Sequence, residues 1–414
     1  MKHYFILLLL MVTLSASAQQ PDTVFLKNML ESRPELFGHI LNHPTHNEVQ
    51  ILYTQIDRDK NNMPHFTSYS YRLNANHYFY PASTVKLPTA IFALEKLNEL
   101  HISGLTKKTA MITDSSFSVE TKMTTDTSSA NGLPSIENYI KKILLVSDNY
   151  AYNRLYEFVG REEINKKLKK YGLTHTRIVN RLAIGDGGES ARHTNAIDFY
   201  NGNKPIYHQT AQYDANDYPM QLENMLQGKG YIDRNEKLVM QPFDFSKMNV
   251  YTIADQQMVL KRLLFPETFA KDQQFNLTRH DYKFIYHYMS MFPTESKKPT
   301  YNGPDYYPAF CKFLFYGADS LAAINPYIRI FNKVGDSYGY NIDNAYIVDF
   351  KNKVEFMLTA VVQSNDNQIY NDNIYEYTTV THPFMKNLGQ LIYQYELQRA
   401  KKYLPDLSKF KFRY

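Results

Sequence analysis

Ser83-Thr84-Val85-Lys86 sets a hydroxyl and an ammonium group three residues apart, at the head of an apolar run with helical spacing: Val85, Leu87, Ala90, Ile91, Leu94 and Leu97. On one helix face the two side chains come within mutual reach. A serine hydroxyl is a poor nucleophile until a neighbour takes its proton. A lysine that is partly desolvated and close to another cation has its pKa lowered enough to be that neighbour. The helix amino terminus adds a positive end and free backbone N–H groups, which suit a developing oxyanion.

This spacing alone is weak evidence, because Ser408-Lys409-Phe410-Lys411 repeats it in a polar tail without an apolar helix behind it. Company gives the first occurrence its weight. Ser147-Asp148-Asn149 follows the apolar run Ile143-Leu144-Leu145-Val146 and precedes Tyr150, as expected of a turn between helices that presents a hydroxyl and an amide. Lys333-Val334-Gly335 ends a strand pattern and continues into Asp336, Ser337, Tyr338 and Gly339. Lys170-Tyr171-Gly172 has a similar composition but closes a helix pattern.

In this order and these contexts, the three segments resemble the S-x-x-K, S-D-N and K-T-G boxes of class A β-lactamases and penicillin-binding proteins. The resemblance implies an antiparallel five-stranded sheet flanked by helices, an all-helical second subdomain, and a serine hydrolase that opens a β-lactam or related amide. It implies that Ser83 is acylated and that Lys86 deprotonates it directly or through water. Ser147 would pass a proton to the departing nitrogen, Asn149 would hold the substrate's side-chain amide, and Lys333 would pair with a substrate carboxylate. Gly335 belongs to the third box, and the backbone N–H groups of Ser83 and Asp336 would form the oxyanion hole. No metal or organic cofactor is expected. The alternatives are a D-Ala-D-Ala peptidase or transpeptidase that uses the same boxes, and a β-lactam-binding sensor whose chemistry has decayed.

The sequence departs from the family in three places. Ser147 follows Ser83 by 64 residues, close to the family's habit, but Lys333 follows Ser147 by 186, which implies inserted loops. Val334 replaces the family's usual hydroxyl residue, with Ser337 as the nearest substitute. Arg181-Leu182-Ala183-Ile184-Gly185-Asp186 offers no glutamate where class A β-lactamases keep one to activate the deacylating water; Asp186 and Glu189 are the nearest carboxylates.

The elements that must position these groups follow from periodicity. Helices are expected from Asp22 to Leu41, from Ser83 to Leu100, over Ile136 to Phe158 and Glu162 to Tyr171, over Ile253 to Leu264 and Thr278 to Met291, and from His382 to Leu404. Strands are expected at Glu48 to Asp57, Ser68 to Leu73, Pro326 to Lys333, Asn344 to Phe350 and Val354 to Gln363. A single core rarely serves more than ~250 to 300 residues. Residues 19–100 and 319–414 are therefore read as the sheet-containing subdomain, and 101–318 as a helical subdomain with long, Asn-, Asp-, Pro-, Gly- and Tyr-rich loops at 201–250 and 292–318 beside the cleft.

The chain opens with Met1-Lys2-His3, an apolar run from Phe5 to Leu14, and Ala16-Ser17-Ala18. Residues 1–18 read as a signal peptide cleaved after Ala18, too short to span a bilayer, so the mature protein is expected to be exported, periplasmic or secreted. Cys311 is the single cysteine and permits no intramolecular disulfide; it reads as a small buried hydrophobe. A net charge of +5, with Lys and Arg scattered, argues against nucleic acid as a partner. Pro44 interrupts any helix that would align His39, His43, His46 and Glu48 on a metal. The expected partner is a small-molecule β-lactam or cell-wall peptide substrate met by a monomer with no membrane span. The 35 tyrosines, with no tryptophan, are the unusual feature of composition.

Overall fold

The computed structural model of this chain describes residues 22–115, 121–184 and 188–414. The expected signal peptide and Asp186 lie outside them. The central sheet has five antiparallel strands in the order Ile328–Ser337, Tyr340–Asp349, Val354–Gln363, Gln50–Arg58 and Pro64–Tyr71. Both ends of the chain thus contribute to one sheet, as the periodicity implied.

Side-chain alternation divides the sheet's two faces into separate cores. Ile330, Val334, Ala345, Ile347, Phe356 and Leu358 pack with Leu26, Phe37, Phe384 and Leu388 from the helices Val24–Glu31, Pro34–Leu41 and His382–Gln398. Phe331, Ile342, Tyr346, Val348, Met357 and Val361 face the other way. There they join Val259 and Leu263 of helix Ile253–Leu264 and Ile285 and Met289 of helix Arg279–Ser290. The same core continues into Ile91 and Leu94 of helix Lys86–Glu99, and into helices Ile136–Val146, Asn149–Val159 and Arg161–Lys170.

Three sequence expectations are corrected. The pattern from Asp22 to Leu41 is two helices, because Pro34 has no N–H to continue the first and instead opens the second. The last helix stops at Gln398. The middle of the chain is helical but not all-helical: Ala110–Thr113, Ile197–Asn201 and Lys204–Gln209 form a three-stranded sheet, and residues 226–251 contain further short strands. These strands run two to six residues between polar turns, too few for a period of two to register in sequence. Among the described residues, no helix is long and apolar enough to cross a membrane.

Candidate active site

Ser83 lies in a 3-10 turn, Ala82–Val85, that leads directly into helix Lys86–Glu99. Ala82 before it is held at φ +46°, a left-handed conformation that costs an alanine about 1–2 kcal/mol. Thr84 ties the turn down by donating from its Oγ1 to the carbonyl of Pro81 at 2.7 Å.

Lys86, one helical turn on, is fully buried. Its Nζ is 2.8 Å from Ser83 Oγ, 2.6 Å from Asn149 Oδ1, 2.5 Å from the Ser147 carbonyl and 3.3 Å from Ser147 Oγ. Burial holds its pKa well below the ordinary lysine value, and the Lys333 cation pushes the same way; Asp148 and Asp336 oppose them. A neutral amine here is within hydrogen-bond reach of the Ser83 hydroxyl, at 2.8 Å.

The second segment is a helix–helix corner. Ser147 ends helix Ile136–Val146 at φ +60°, and the Asp148 side chain caps the next helix by accepting from the Ala151 N–H at 2.8 Å. Asn149, in the first turn, is thereby presented to Lys86. From the far end of the chain, Lys333 donates from Nζ to Ser147 Oγ at 2.7 Å and to its neighbour's carbonyl, Val334 O, at 2.8 Å. Burial lowers the Lys333 pKa to about 8.

At Gly335 strand Ile328–Ser337 passes against the turn that carries Ser83. A Cβ at this position would lie 2.9 Å from the Pro81 carbonyl oxygen and 3.0 Å from the Ser83 nitrogen, so only glycine lets the strand approach. Asp336 follows and is exposed, while Val334 joins the sheet's core. All seven sequence-selected residues are therefore brought together around one cleft. Its cavity, about 440 Å³, is lined by Ser83, Ser147, Asn149, Val334, Asp336 and Ser337, with Lys86 and Lys333 behind the two hydroxyls. The volume suits a small molecule.

Sequence reasoning missed the aromatic wall of that cavity: Tyr80, Tyr307, Phe310, Phe313 and Tyr338, together with His382. Only the tyrosine count and the placement of 292–318 beside the cleft hinted at it. A buried polar network holds part of this wall. Asp343 Oδ2 accepts from the N–H groups of Phe313 at 3.1 Å and Leu314 at 2.9 Å, and Asn332 bridges Asp343 Oδ1 to Lys312 through contacts of 2.8 and 2.6 Å. Cys311, on the same segment, has its thiol pushed up to about 11 by burial, which keeps it protonated and poorly nucleophilic.

The loop after the second segment brings Leu182 and Ala183 to the cavity. Arg181 anchors it through Nε and Nη2 to Glu157 Oε1, at 3.1 and 2.8 Å, in a buried ion pair. Glu189 lies elsewhere: it is exposed beside Arg192 and His193, at 3.7 and 3.5 Å, and borders a different cavity. Among the described residues lining the Ser83 cavity, Asp336 is the sole carboxylate.

A family model described as the beta-lactamase enzyme family matches residues 41–243. The chain is also similar to solved structures. These include a beta-lactamase from Sphaerobacter thermophilus DSM 20745, at 12% identity and a TM-score of 0.47, covering 88% of this chain and 97% of that one. A class A beta-lactamase from Clostridium kluyveri DSM 555 matches at 13% identity and 0.47, covering 89% and 98%. A protein named PBP-A matches at 14% identity and 0.47, covering 89% and 97%. No curated protein matches. The matched stretch, residues 41–243, carries Ser83, Lys86, Ser147 and Asn149, and is similar to the beta-lactamase enzyme family.

Proposed function

We propose that this protein opens a β-lactam or a related amide through an acyl-enzyme on Ser83. The observation that carries this reading is the 2.8 Å contact between Ser83 Oγ and the Nζ of a fully buried Lys86 whose basicity burial and Lys333 depress. Lys86 takes the hydroxyl proton as Ser83 Oγ bonds to the carbonyl carbon. The carbon–nitrogen bond then breaks, and the nitrogen receives a proton through the Ser147 hydroxyl. Ser147 is the apt relay because Lys333 and Lys86 approach its Oγ at 2.7 and 3.3 Å. Backbone N–H groups of Ser83 and Asp336 receive the oxyanion, a contribution of ~10²- to 10³-fold per donor. Asn149 holds the substrate's amide. No step calls for a cofactor. Export, read from residues 1–18, would bring the site to β-lactams or cell-wall peptides outside the cytoplasm.

Intact-protein mass spectrometry after brief exposure to a β-lactam tests this. One added equivalent, or steady loss of the β-lactam, is expected, and both should vanish in Ser83→Ala; an unchanged protein mass together with unconsumed β-lactam after long exposure overturns it.

A second reading is favoured by Ala183, which reaches the cavity where a hydrolase would place a water-activating acid. On that reading acylation outlasts hydrolysis, as in a peptidase inhibited by β-lactams or an acylated sensor. Nitrocefin distinguishes the two: continued turnover supports the hydrolase, and a stall after one equivalent supports the slow acyl-enzyme.

A further inference from the structure

The loop that brings Leu182 and Ala183 to the Ser83 cavity also borders a second cavity, of about 500 Å³, through Val179, Asn180, Gly188 and Glu189. Among the described residues the two cavities have no lining residue in common. Four cations line the second: Arg161, Arg177, Arg192 and Lys247.

Arg177 is 6% exposed, and its guanidinium donates to the carbonyls of Met248 at 3.1 Å, Tyr218 at 2.7 Å and Ser246. Burial lowers its pKa, and the Arg161 cation pushes the same way. By itself Arg177 reads as a strut between Tyr218 and residues 246–248. Arg161 does not. It is 8% exposed, and the bonds it makes among the described residues leave from Nη1, to Asp214 Oδ2 at 2.7 Å and the Asn216 carbonyl at 2.9 Å. Its Nε is buried without a partner. A buried polar group left unpaired carries its full desolvation penalty. The Arg161 Cζ sits 4.9 Å from the centre of the Tyr218 ring, which fixes the position of the fork.

The acids nearby are engaged elsewhere. Glu189 and Asp217, the carboxylates among the described lining residues, are exposed, and both address Arg192. Asp214 accepts from Arg161, Tyr218 and Asn216. Arg177 and the exposed Lys247 have no acidic partner among the described residues. Two guanidiniums that repel each other beside an open cavity lack a countercharge. Their planar forks match the oxygens of a carboxylate or a phosphate, and an anion between them would offset the repulsion.

We propose that Arg161, Arg177 and Lys247 form an anion-binding site, separate from Ser83, that takes a phosphate or carboxylate group.

The test titrates the full-length protein by calorimetry with inorganic phosphate and, separately, with succinate, at an ionic strength held constant with chloride. Saturable binding of one equivalent at millimolar concentration is expected for at least one of them. The tighter of the two tells a phosphoryl group from a carboxylate. Lys247→Glu, at an exposed position that leaves the packing intact, should weaken binding by at least about 10-fold. Asp217→Asn, which removes an exposed carboxylate from the wall, should tighten it by about 3-fold. Arg161→Met should abolish it; should that variant fail to fold, Lys247→Glu and Asp217→Asn still decide. Ser83→Ala should bind as the wild type does, so the site stands or falls independently of the acyl-enzyme. No saturable binding of either anion overturns the proposal, as does binding that Lys247→Glu and Asp217→Asn leave unchanged.

Discussion

Lys333 Nζ donates to Ser147 Oγ at 2.7 Å, joining residues 186 positions apart. The contact fastens the edge of the sheet to the corner of two helices, and it places a cation behind the hydroxyl proposed as the proton relay. The same cation depresses Lys86. One side chain thus tunes both partners of Ser83.

Replacing Lys333 by Met should show this in the pH profile. Without the neighbouring cation the Lys86 pKa rises, so the neutral base is present only at higher pH. The acylation rate is expected to fall by ~10²-fold at pH 7, the scale of general base catalysis. Part of it should return as the pH is raised, with the half-maximal point displaced upward. A rate loss with an unmoved profile would show that Lys333 acts on Ser147 alone.

Gly335→Ala tests the close approach of strand and nucleophile. The new Cβ would meet the Pro81 carbonyl at 2.9 Å, a backbone atom that cannot swing aside. The strand must retreat by a few tenths of an ångström, and catalysis is sensitive to misplacements on the ångström scale. Acylation should drop at least about 10-fold while circular dichroism and cooperative melting persist. Unchanged acylation would mean that the strand's distance from Ser83 is not critical.

Much of this site was legible in sequence because its chemistry is local at each corner. Ser83 and Lys86 share one helical turn, Ser147 and Asn149 one helix–helix corner, and Lys333 and Gly335 one strand. The strand Val354–Gln363 and the helix Ile253–Leu264 also read to the residue, since long apolar patterns fix their bounds. His382 was invisible: its place in the cavity comes from the docking of a helix 299 residues beyond Ser83. Asp343 and Lys312 were invisible too, because a buried acid inside a strand shows in sequence only as a break in alternation. The helix break at Pro34 could have been read, but the apolar pattern that runs across it hides the missing donor.

Ala183 tests the second reading, in which deacylation is slow for want of a carboxylate. It borders the cavity at φ +59°, and a glutamate there meets the same left-handed strain that alanine already bears. Ala183→Glu places a carboxylate near the ester, where it can draw a proton from water. The half-life of the Ser83 adduct, followed by mass spectrometry, is expected to shorten by 10-fold or more. An unaltered half-life would locate the barrier to hydrolysis in water access instead.

Lys333 also sets a stability cost with a defined sign. Its folded pKa of about 8 lies below the ordinary lysine value near 10.5, so the unfolded chain binds its proton more tightly. Below pH 8 this disfavours the folded state in full, and the penalty fades as pH rises from about 8 toward 10.5. Lys333→Met removes a buried cation while roughly keeping the side chain's length. The variant should melt higher than the wild type at pH 7, by a few degrees for ~1–2 kcal/mol in a protein of this size, and the gap should narrow to a minor part by pH 10. A variant that melts lower at pH 7 would mean that the hydrogen bonds to Ser147 and the Val334 carbonyl outweigh the cost of burying the charge.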